Sequence, residues 1–175
     1  VLKIAALSNP QRQTLLFSAT MRQKGLKHMT DQVLREPEHL MLSTVRDPHQ
    51  SIRQQIVLAD DNNHKQKLLL SLLSTEDYDK ALVFTNTRAK ADLLGTELFK
   101  SEIRSGVLHG EMEQEHRNRV VERLRTGHIN VLIASDVAAR GLDIKGIDLV
   151  INYDMARTGD DYTHRIGRTG RAGEE

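Results

Sequence analysis

Residues 131–136 read Val-Leu-Ile-Ala-Ser-Asp, and this stretch decides the fold. Four aliphatic residues in a row, closed by a hydroxyl and a carboxylate, are typical of a strand that is buried on both faces. Residues 81–84, Ala-Leu-Val-Phe, repeat the apolar run 50 positions earlier. Strands of this kind occur mainly in parallel sheets that helices cover on both sides. The sequence therefore predicts an α/β fold.

Other strands and helices are predicted on either side of these two runs. Short β-branched or aliphatic runs alternate with longer amphipathic ones, which favours a parallel sheet flanked by helices. The predicted strands are Thr14–Phe17, His39–Ser43, Ile52–Leu58, Lys80–Thr85, Gly106–His109, Asn130–Ala134 and Leu149–Tyr153. The predicted helices are His64–Leu73, Arg88–Lys100, Gln114–Arg125 and a short one through His164, which residues 158–161 open as a capping box.

Composition narrows the class of protein. The chain has no cysteine, so disulfides and cysteine-ligated zinc are excluded. No apolar run approaches the ~20 residues of a membrane span. Its 25 basic and 24 acidic side chains give a net charge of +1, so any nucleic-acid site must concentrate its cations locally. Aromatic residues make up 3%, which disfavours a base-stacking platform. We expect a cytoplasmic protein without a membrane partner.

Polar side chains follow each predicted strand of the sheet. Ligands of open parallel sheets bind beyond the carboxyl ends of the strands, where these side chains would gather. They are small, hydroxylic or charged, which suits a ligand rich in phosphate. The segments concerned are residues 18–20, 85–88, 109–111, 135–143 and Asp154.

The most specific segment is residues 164–173, His-Arg-Ile-Gly-Arg-Thr-Gly-Arg-Ala-Gly. Arginine offers planar, two-pronged contacts to phosphate oxygens, and glycine lets the backbone approach closely. An arginine finger on a transferring phosphoryl group contributes ~10³–10⁵ in rate. Composition alone leaves a second interpretation open, namely a solvated basic loop. Residues 135–144, Ser-Asp-Val-Ala-Ala-Arg-Gly-Leu-Asp-Ile, suit phosphate and ribose contacts in the same way, or else ordinary capping after a strand.

Together these segments closely resemble motifs V and VI of DEAD-box RNA helicases. Residues 18–20 (Ser-Ala-Thr) resemble motif III, and residues 81–88 (ALVFTNTR) resemble motif IV. Residues 108–110 with 114–117 resemble the HG and QxxR element, and residues 149–154 resemble the strand after motif V. The resemblance covers essentially the whole chain. It implies a RecA-like domain that couples ATP hydrolysis to RNA unwinding or to remodelling of RNA–protein complexes.

The resemblance assigns roles to individual residues. It implies that Arg168 and Arg171 are arginine fingers toward the γ-phosphate and that Asp143 holds the ribose of ATP. Arg165 and His164 would join the nucleotide-binding network between two lobes. Ser18 and Thr20 would couple the nucleotide state to lobe closure. The RNA backbone would pass along Thr87, Arg88, Gly110, Gln114, Arg117 and Ser135.

The same resemblance divides the chain. Residues 1–45 would be the end of a first RecA-like lobe and the start of a linker, and residues 46–175 would be the C-terminal RecA-like domain. The chain has no GxxxxGK[ST] and no DEAD tetrapeptide. Mg²⁺ bound with ATP would therefore be held by the first lobe, with no metal site here, and this chain alone would be inactive. The first-lobe remnant could pair with another copy through an orphan strand.

Two other functions remain open at this stage. The domain could be a non-catalytic module that binds RNA or a protein partner, in which case the parent protein would lack the Walker lysine too. It could also belong to a DNA-directed motor of a related helicase family. Contacts to the 2′-hydroxyl separate RNA from DNA, so a preference for RNA would exclude the second alternative.

Overall fold

The computed structural model describes residues 1–18, 24–40, 52–139, 144 and 146–169. The chain separates into two compact units, Val1–Pro48 and His49–Glu175. The predicted division between residues 45 and 46 lies outside the described residues. Assignment of the first unit to a RecA-like lobe therefore stays a prediction.

The first unit contains two described helices, α1 (Leu2–Leu7) and α2 (Lys24–Val33). The predicted strand Thr14–Phe17 is wrong, since these residues form no strand and Phe17 is 89% exposed. A strand needs a neighbour that accepts and donates its backbone hydrogen bonds, and here none is present among the described residues. Of the predicted strand His39–Ser43, the first two residues are irregular and the rest lie outside the described part.

The second unit is built on a four-stranded, fully parallel sheet. Its strands are β1 (Ala81–Thr85), β2 (Ser105–Leu108), β3 (Val131–Ser135) and β4 (Leu149–Asn152), in the spatial order β2-β3-β1-β4. All four strands were predicted to within one residue at either end. The predicted strand Ile52–Leu58 is wrong, because that segment pairs with no described strand and leaves Ile56 and Leu58 exposed.

Helices flank the strands, and three of them begin at side-chain caps. They are α3 (Asn62–Thr75), α4 (Arg88–Lys100), α5 (Gln114–Arg125), α6 (Asp136–Ala139) and α7 (Gly159–Ile166). Asp61, Thr87 and Thr158 cap α3, α4 and α7 by accepting a backbone N–H at 2.7, 3.3 and 3.1 Å. The predicted bounds of α4 and α5 are confirmed. None of the helices in the described residues is long and apolar enough to cross a membrane.

The apolar core lies on both faces of the sheet. Alternate residues of β1 point in opposite directions, so Leu82 and Phe84 pack on one side and Ala81 and Val83 on the other. The first side is covered by α5 and α6, and the second by α3 and α4. This arrangement confirms the predicted RecA-like fold class, a parallel sheet between helices, and it directs the carboxyl ends of all strands to one edge.

Gly95 marks the closest approach of α4 to the sheet. A Cβ atom at this position would overlap Cγ2 of Val107 on β2. Alanine normally stabilises a helix relative to glycine by ~1 kcal/mol. We nevertheless expect Gly95→Ala to lower the free energy of unfolding by about 1–2 kcal/mol, because the overlap forces strand and helix apart. Urea unfolding measures the change. Gly95→Ala with Val107→Ala should cost less than the two single changes together, and a stabilised single variant would contradict the close approach.

Candidate functional site

The candidate site lies along the carboxyl edge of the sheet. Because all four strands are parallel, the residues that follow them meet at this edge. His109 follows β2, Asp136 follows β3, Asn86 follows β1 and Asp154 closes the turn after β4. The predicted polar residues at strand ends are thus brought together by the topology.

Arg165 of α7 is the centre of this edge. Its side chain is 1% exposed, although it carries a full positive charge. The Asp136 carboxylate accepts two parallel hydrogen bonds from it, Nε to Oδ1 at 2.7 Å and Nη2 to Oδ2 at 2.8 Å. Two-pronged pairs of this kind are short and strong, and they fix the orientation of the guanidinium plane.

The remaining donors of Arg165 are also used. Nη1 donates to Oδ1 of Asn152 at 3.1 Å and to the carbonyl of Asp154 at 2.5 Å, and Nη2 donates to Oδ1 of Asn86 at 2.9 Å. A guanidinium has five N–H groups, and all five have acceptors here. The Phe84 ring lies 5.0 Å from the guanidinium carbon. Arg165 therefore ties α7 to the ends of β1, β3 and β4, which satisfies a buried charge that would otherwise be costly.

A small recess opens beside this network. Arg168 stands in the turn after α7, where its N–H donates to the Arg165 carbonyl at 3.2 Å. His164 and Arg165 line the same recess, so three residues predicted to contact or surround the nucleotide lie around it. The full lining is Phe84, Asp136, Ala139, Asp161, His164, Arg165 and Arg168.

A second group of predicted residues lies farther along the edge. Thr87 caps α4, and its carbonyl accepts the Thr85 hydroxyl at 3.2 Å. Arg88 forms an ion pair with Glu111, which follows β2. Because β3 lies between β1 and β2, this pair spans the end of the central strand. Ser135 ends that strand and stands opposite Thr85.

Two further residues belong to α5. Gln114 is exposed in the first turn and donates to Asn118 at 2.9 Å. Arg117 donates through Nη2 to the Ala138 carbonyl at 3.3 Å, while its Nε is buried without a partner. A Cβ atom at Gly110 would only touch Val137 at 3.5 Å, so the domain itself does not require glycine there.

Comparison of this chain with known proteins identifies its family. A family model for the helicase conserved C-terminal domain matches residues 64–173. This chain belongs to that family.

Relatives of this helicase domain are named as DEAD-box proteins or ATP-dependent RNA helicases. It is 42% identical over 173 residues to the ATP-dependent RNA helicase SrmB of Haemophilus influenzae, covering 99% of this chain and 39% of that protein. The structure of Escherichia coli DEAD-box protein SrmB bound to regulator of ribonuclease activity A is 44% identical, with a TM-score of 0.64 over 70% of this chain and 75% of that one. Dbp5 of S. cerevisiae, bound to RNA and ADP BeF3, is 27% identical, with a TM-score of 0.86 over 99% and 46%.

These findings confirm the predicted resemblance to the C-terminal domain of DEAD-box helicases. The chain spans about two fifths of the length of the first curated relatives. The assigned residue roles stay predictions. Of the remaining residues, Ser18 belongs to the first compact unit, and Thr20, Asp143 and Arg171 lie outside the described residues.

Arg165 has a structural task in this domain, and its predicted part in the nucleotide-binding network between two lobes stays a prediction. All of its donors are bound within the helicase domain, so it holds α7 in place. Its acceptors Asn86 and Asp136 lie in the predicted edge segments 85–88 and 135–143 but were given no role of their own, and Asn152 was not predicted as a site residue at all. Their position directly after or at the end of a buried strand was the signal that could have identified them.

Asp154 was predicted to lie at this edge, but its two lysine partners were not. Its carboxylate is 7% exposed and accepts hydrogen bonds from the Asn86 N–H at 2.9 Å, Lys90 Nζ at 2.8 Å and Lys65 Nζ at 3.3 Å. Burial by itself would raise the pKa of Asp154. The Asn86 hydrogen bond and the two ammonium groups outweigh burial, so its pKa lies below the usual value.

The lowered pKa of Asp154 predicts a loss of stability in acid. The ionised carboxylate is favoured in the folded state, so its contribution is complete above the unfolded pKa of ~3.9 and is lost as pH falls through the folded pKa. We expect Asp154→Asn to be less stable than wild type at pH 6 and to approach it below about pH 4. Urea unfolding at both pH values measures the gap. A gap that stays constant would contradict the assignment.

Proposed function

We propose that this helicase domain is the second RecA-like domain of an ATP-dependent RNA helicase. In this proposal it binds the RNA backbone along the ends of β1, β2 and β3 and presents arginine fingers to ATP from the turn after α7. The main support for this proposal is the hydrogen-bond network of Arg165. It fixes α7 and thereby the position from which the turn with Arg168 begins. The names of its relatives support ATP and RNA as the ligands.

The proposed role of Arg168 and Arg171 is electrostatic stabilisation of the transition state. Negative charge is spread over the oxygens of a transferring phosphoryl group, and guanidinium groups placed in advance stabilise that charge without reorganisation. The described recess carries Arg168 and His164 among its lining. Such N–H donors suit phosphate oxygens.

Mg²⁺ does not fit the described part of this domain. The described residues contain no group of three His, Asp or Glu side chains that could hold a metal ion. Carboxylate oxygens are the usual protein ligands of Mg²⁺. Asp136, one of the two carboxylates that line the recess, has both oxygens bound to Arg165. In this proposal, Mg²⁺ bound with ATP is held by the first lobe.

RNA recognition would be independent of base sequence. Thr87, Arg88, Ser135 and Arg117 are the hydroxyl and guanidinium side chains of this edge, and such groups contact phosphate and sugar rather than base edges. Closure of two lobes would complete the site, so binding by this half alone would be weak. A cytoplasmic location and self-association through residues 1–45 are also predictions.

Arg88 gives a test of the RNA path. If it neutralises one phosphate, Arg88→Ala should reduce the slope of log affinity against log salt by about 0.7 for single-stranded RNA. Fluorescence anisotropy with an oligouridine at 50–200 mM salt measures this slope on the full-length protein. Arg119→Ala is the matched control, because Arg119 is 68% exposed on α5 beside Glu115. An unchanged slope for Arg88→Ala would remove this residue from the path.

The proposed function is tested by ATP hydrolysis of the full-length protein. We expect turnover to rise with RNA and not with DNA of the same sequence. Turnover that responds equally to both would favour a DNA-directed or unspecific motor. Absence of turnover together with RNA binding would favour a non-catalytic binding module.

A further inference from the structure

Asp154 receives contacts from three parts of the fold. Asn86 belongs to the turn after β1, Lys65 to α3 and Lys90 to the first turn of α4. Lys65 also stacks on the Tyr153 ring, with Nζ 4.2 Å from its centroid. Two ammonium groups on one carboxylate leave a net charge of +1 beside the turn that carries the candidate RNA residues.

The same aspartate is joined to Arg165 by two routes. Its backbone carbonyl accepts Nη1 of Arg165 at 2.5 Å. Its carboxylate holds the N–H of Asn86, and the Asn86 side chain accepts Nη2 of Arg165 at 2.9 Å. Asn86 is further fixed by donating from Nδ2 to the Met155 carbonyl at 3.1 Å. The turn after β1 therefore shares one set of hydrogen bonds with α7, which we call the finger helix because the turn with Arg168 follows it.

Buried side-chain networks of this kind are stiff, because every broken contact leaves a desolvated group without a partner. A shift of Asn86 would disturb both Asp154 and Arg165. A shift of α7 would likewise move Asn86, which is adjacent to Thr87 and Arg88. Asp154 and Asn86 thus connect the predicted RNA-binding turn with the predicted ATP-binding recess.

We propose that Asp154 is a positioning residue that joins the RNA-facing turn 86–88 to the finger helix α7. Its carboxylate holds the turn directly and holds α7 through Asn86. The identity of the two ligands rests on the proposed function, whereas the join itself rests on the described contacts.

Asp154→Asn is the most specific probe of this join. An asparagine oxygen is a neutral acceptor, so its hydrogen bond with the Asn86 N–H is weaker than the charge-assisted bond to the carboxylate, and the neutral side chain no longer attracts Lys65 and Lys90. The shape is kept and the charge is removed.

A matched control is available at the other end of β4. The Asp148 carboxylate accepts the backbone N–H groups of Asp79 and Lys80, both at 2.9 Å, just before β1. Its carboxylate fixes the same two strands at the ends opposite Asp154; its backbone carbonyl accepts the Thr169 hydroxyl at 3.5 Å, a main-chain contact that Asp148→Asn keeps. Asp148→Asn therefore reproduces a general loosening of the β1–β4 pair without touching the network.

The experiment compares hydrogen exchange in the full-length wild type, Asp154→Asn and Asp148→Asn. We expect Asp154→Asn to raise exchange about 10-fold in peptides covering both 85–90 and 159–167, and Asp148→Asn to raise it in neither. Faster exchange in only one of the two segments, or in both for Asp148→Asn as well, would overturn the proposal.

A kinetic readout shows whether the join matters for function. The RNA concentration that gives half-maximal ATP hydrolysis should rise about 10-fold in Asp154→Asn and stay within about 2-fold in Asp148→Asn. Adding Asn86→Ala to Asp154→Asn should change it little further, since both act through one connection. Additive effects would overturn the proposal. If wild type hydrolyses no ATP with RNA, the proposed function fails, while the exchange result still decides the join.

Discussion

Replacing Arg168 by alanine is expected to lower RNA-stimulated ATP hydrolysis by about 10³-fold or more in the full-length protein. The physical reason is that a finger stabilises charge that exists only in the transition state, so its removal acts on kcat rather than on nucleotide affinity. Steady-state turnover at saturating RNA and ATP measures the effect. Nucleotide affinity should change much less.

Two further variants separate finger chemistry from loss of charge. Arg168→Lys keeps the charge but loses the planar fork, so we expect it to recover only a small part of the rate. Arg119→Ala removes an exposed arginine of α5 and should leave turnover unchanged. Turnover that survives Arg168→Ala would show that the finger is another residue, with Arg171 the next candidate.

Arg165→Met is expected to lower the free energy of unfolding by about 3–5 kcal/mol. The side-chain volume is similar, but the Asp136 carboxylate loses its two-pronged partner and Asn86, Asn152 and the Asp154 carbonyl lose their donor. Urea unfolding of the full-length protein, followed at two wavelengths to detect a separate domain transition, measures the loss.

Asp136, the ion-pair partner of Arg165, provides the control. Arg165→Met combined with Asp136→Asn removes the stranded charge as well, so we expect the double variant to be more stable than the sum of the single losses predicts. Arg119→Ala should cost less than about 0.5 kcal/mol, as an exposed pair does. A loss for Arg165→Met as small as that of Arg119→Ala would contradict the burial and pairing of this arginine.

The sheet was predictable because its strands are buried on both faces. β1 and β3 are continuous apolar runs that no other element produces so clearly. Thr14–Phe17 and Ile52–Leu58 have strand-like residues too, yet they form no strand, since pairing depends on neighbours that local sequence does not reveal. Helix α6 was not predicted because its four residues, Asp136–Ala139, are too few to show a period.

The candidate site was predicted as a set of motifs but not as a network. The arginine and glycine pattern of residues 164–173 singled out Arg168, and the structure adds that this residue lines a recess. The partners of Arg165 could not be predicted in this way, because Asn86 lies 79 residues away along the chain and is set beside it only by strand order. The two lysines at Asp154 stand 89 and 64 residues from it, on helices whose exposed faces give no sign of a partner.

The strand order also affects how the chain can fold while it is being synthesised on the ribosome. β1 is one of the two interior strands of the sheet, but Ala81 pairs with Val131, which is made about 50 residues later. At ~5–20 residues per second, β1 waits several seconds for β3, and longer for β4 on its other side. During that time its apolar faces and both of its edges are unpaired. Translation that pauses between residues 85 and 131 would prolong the interval in which nascent chains can associate through β1.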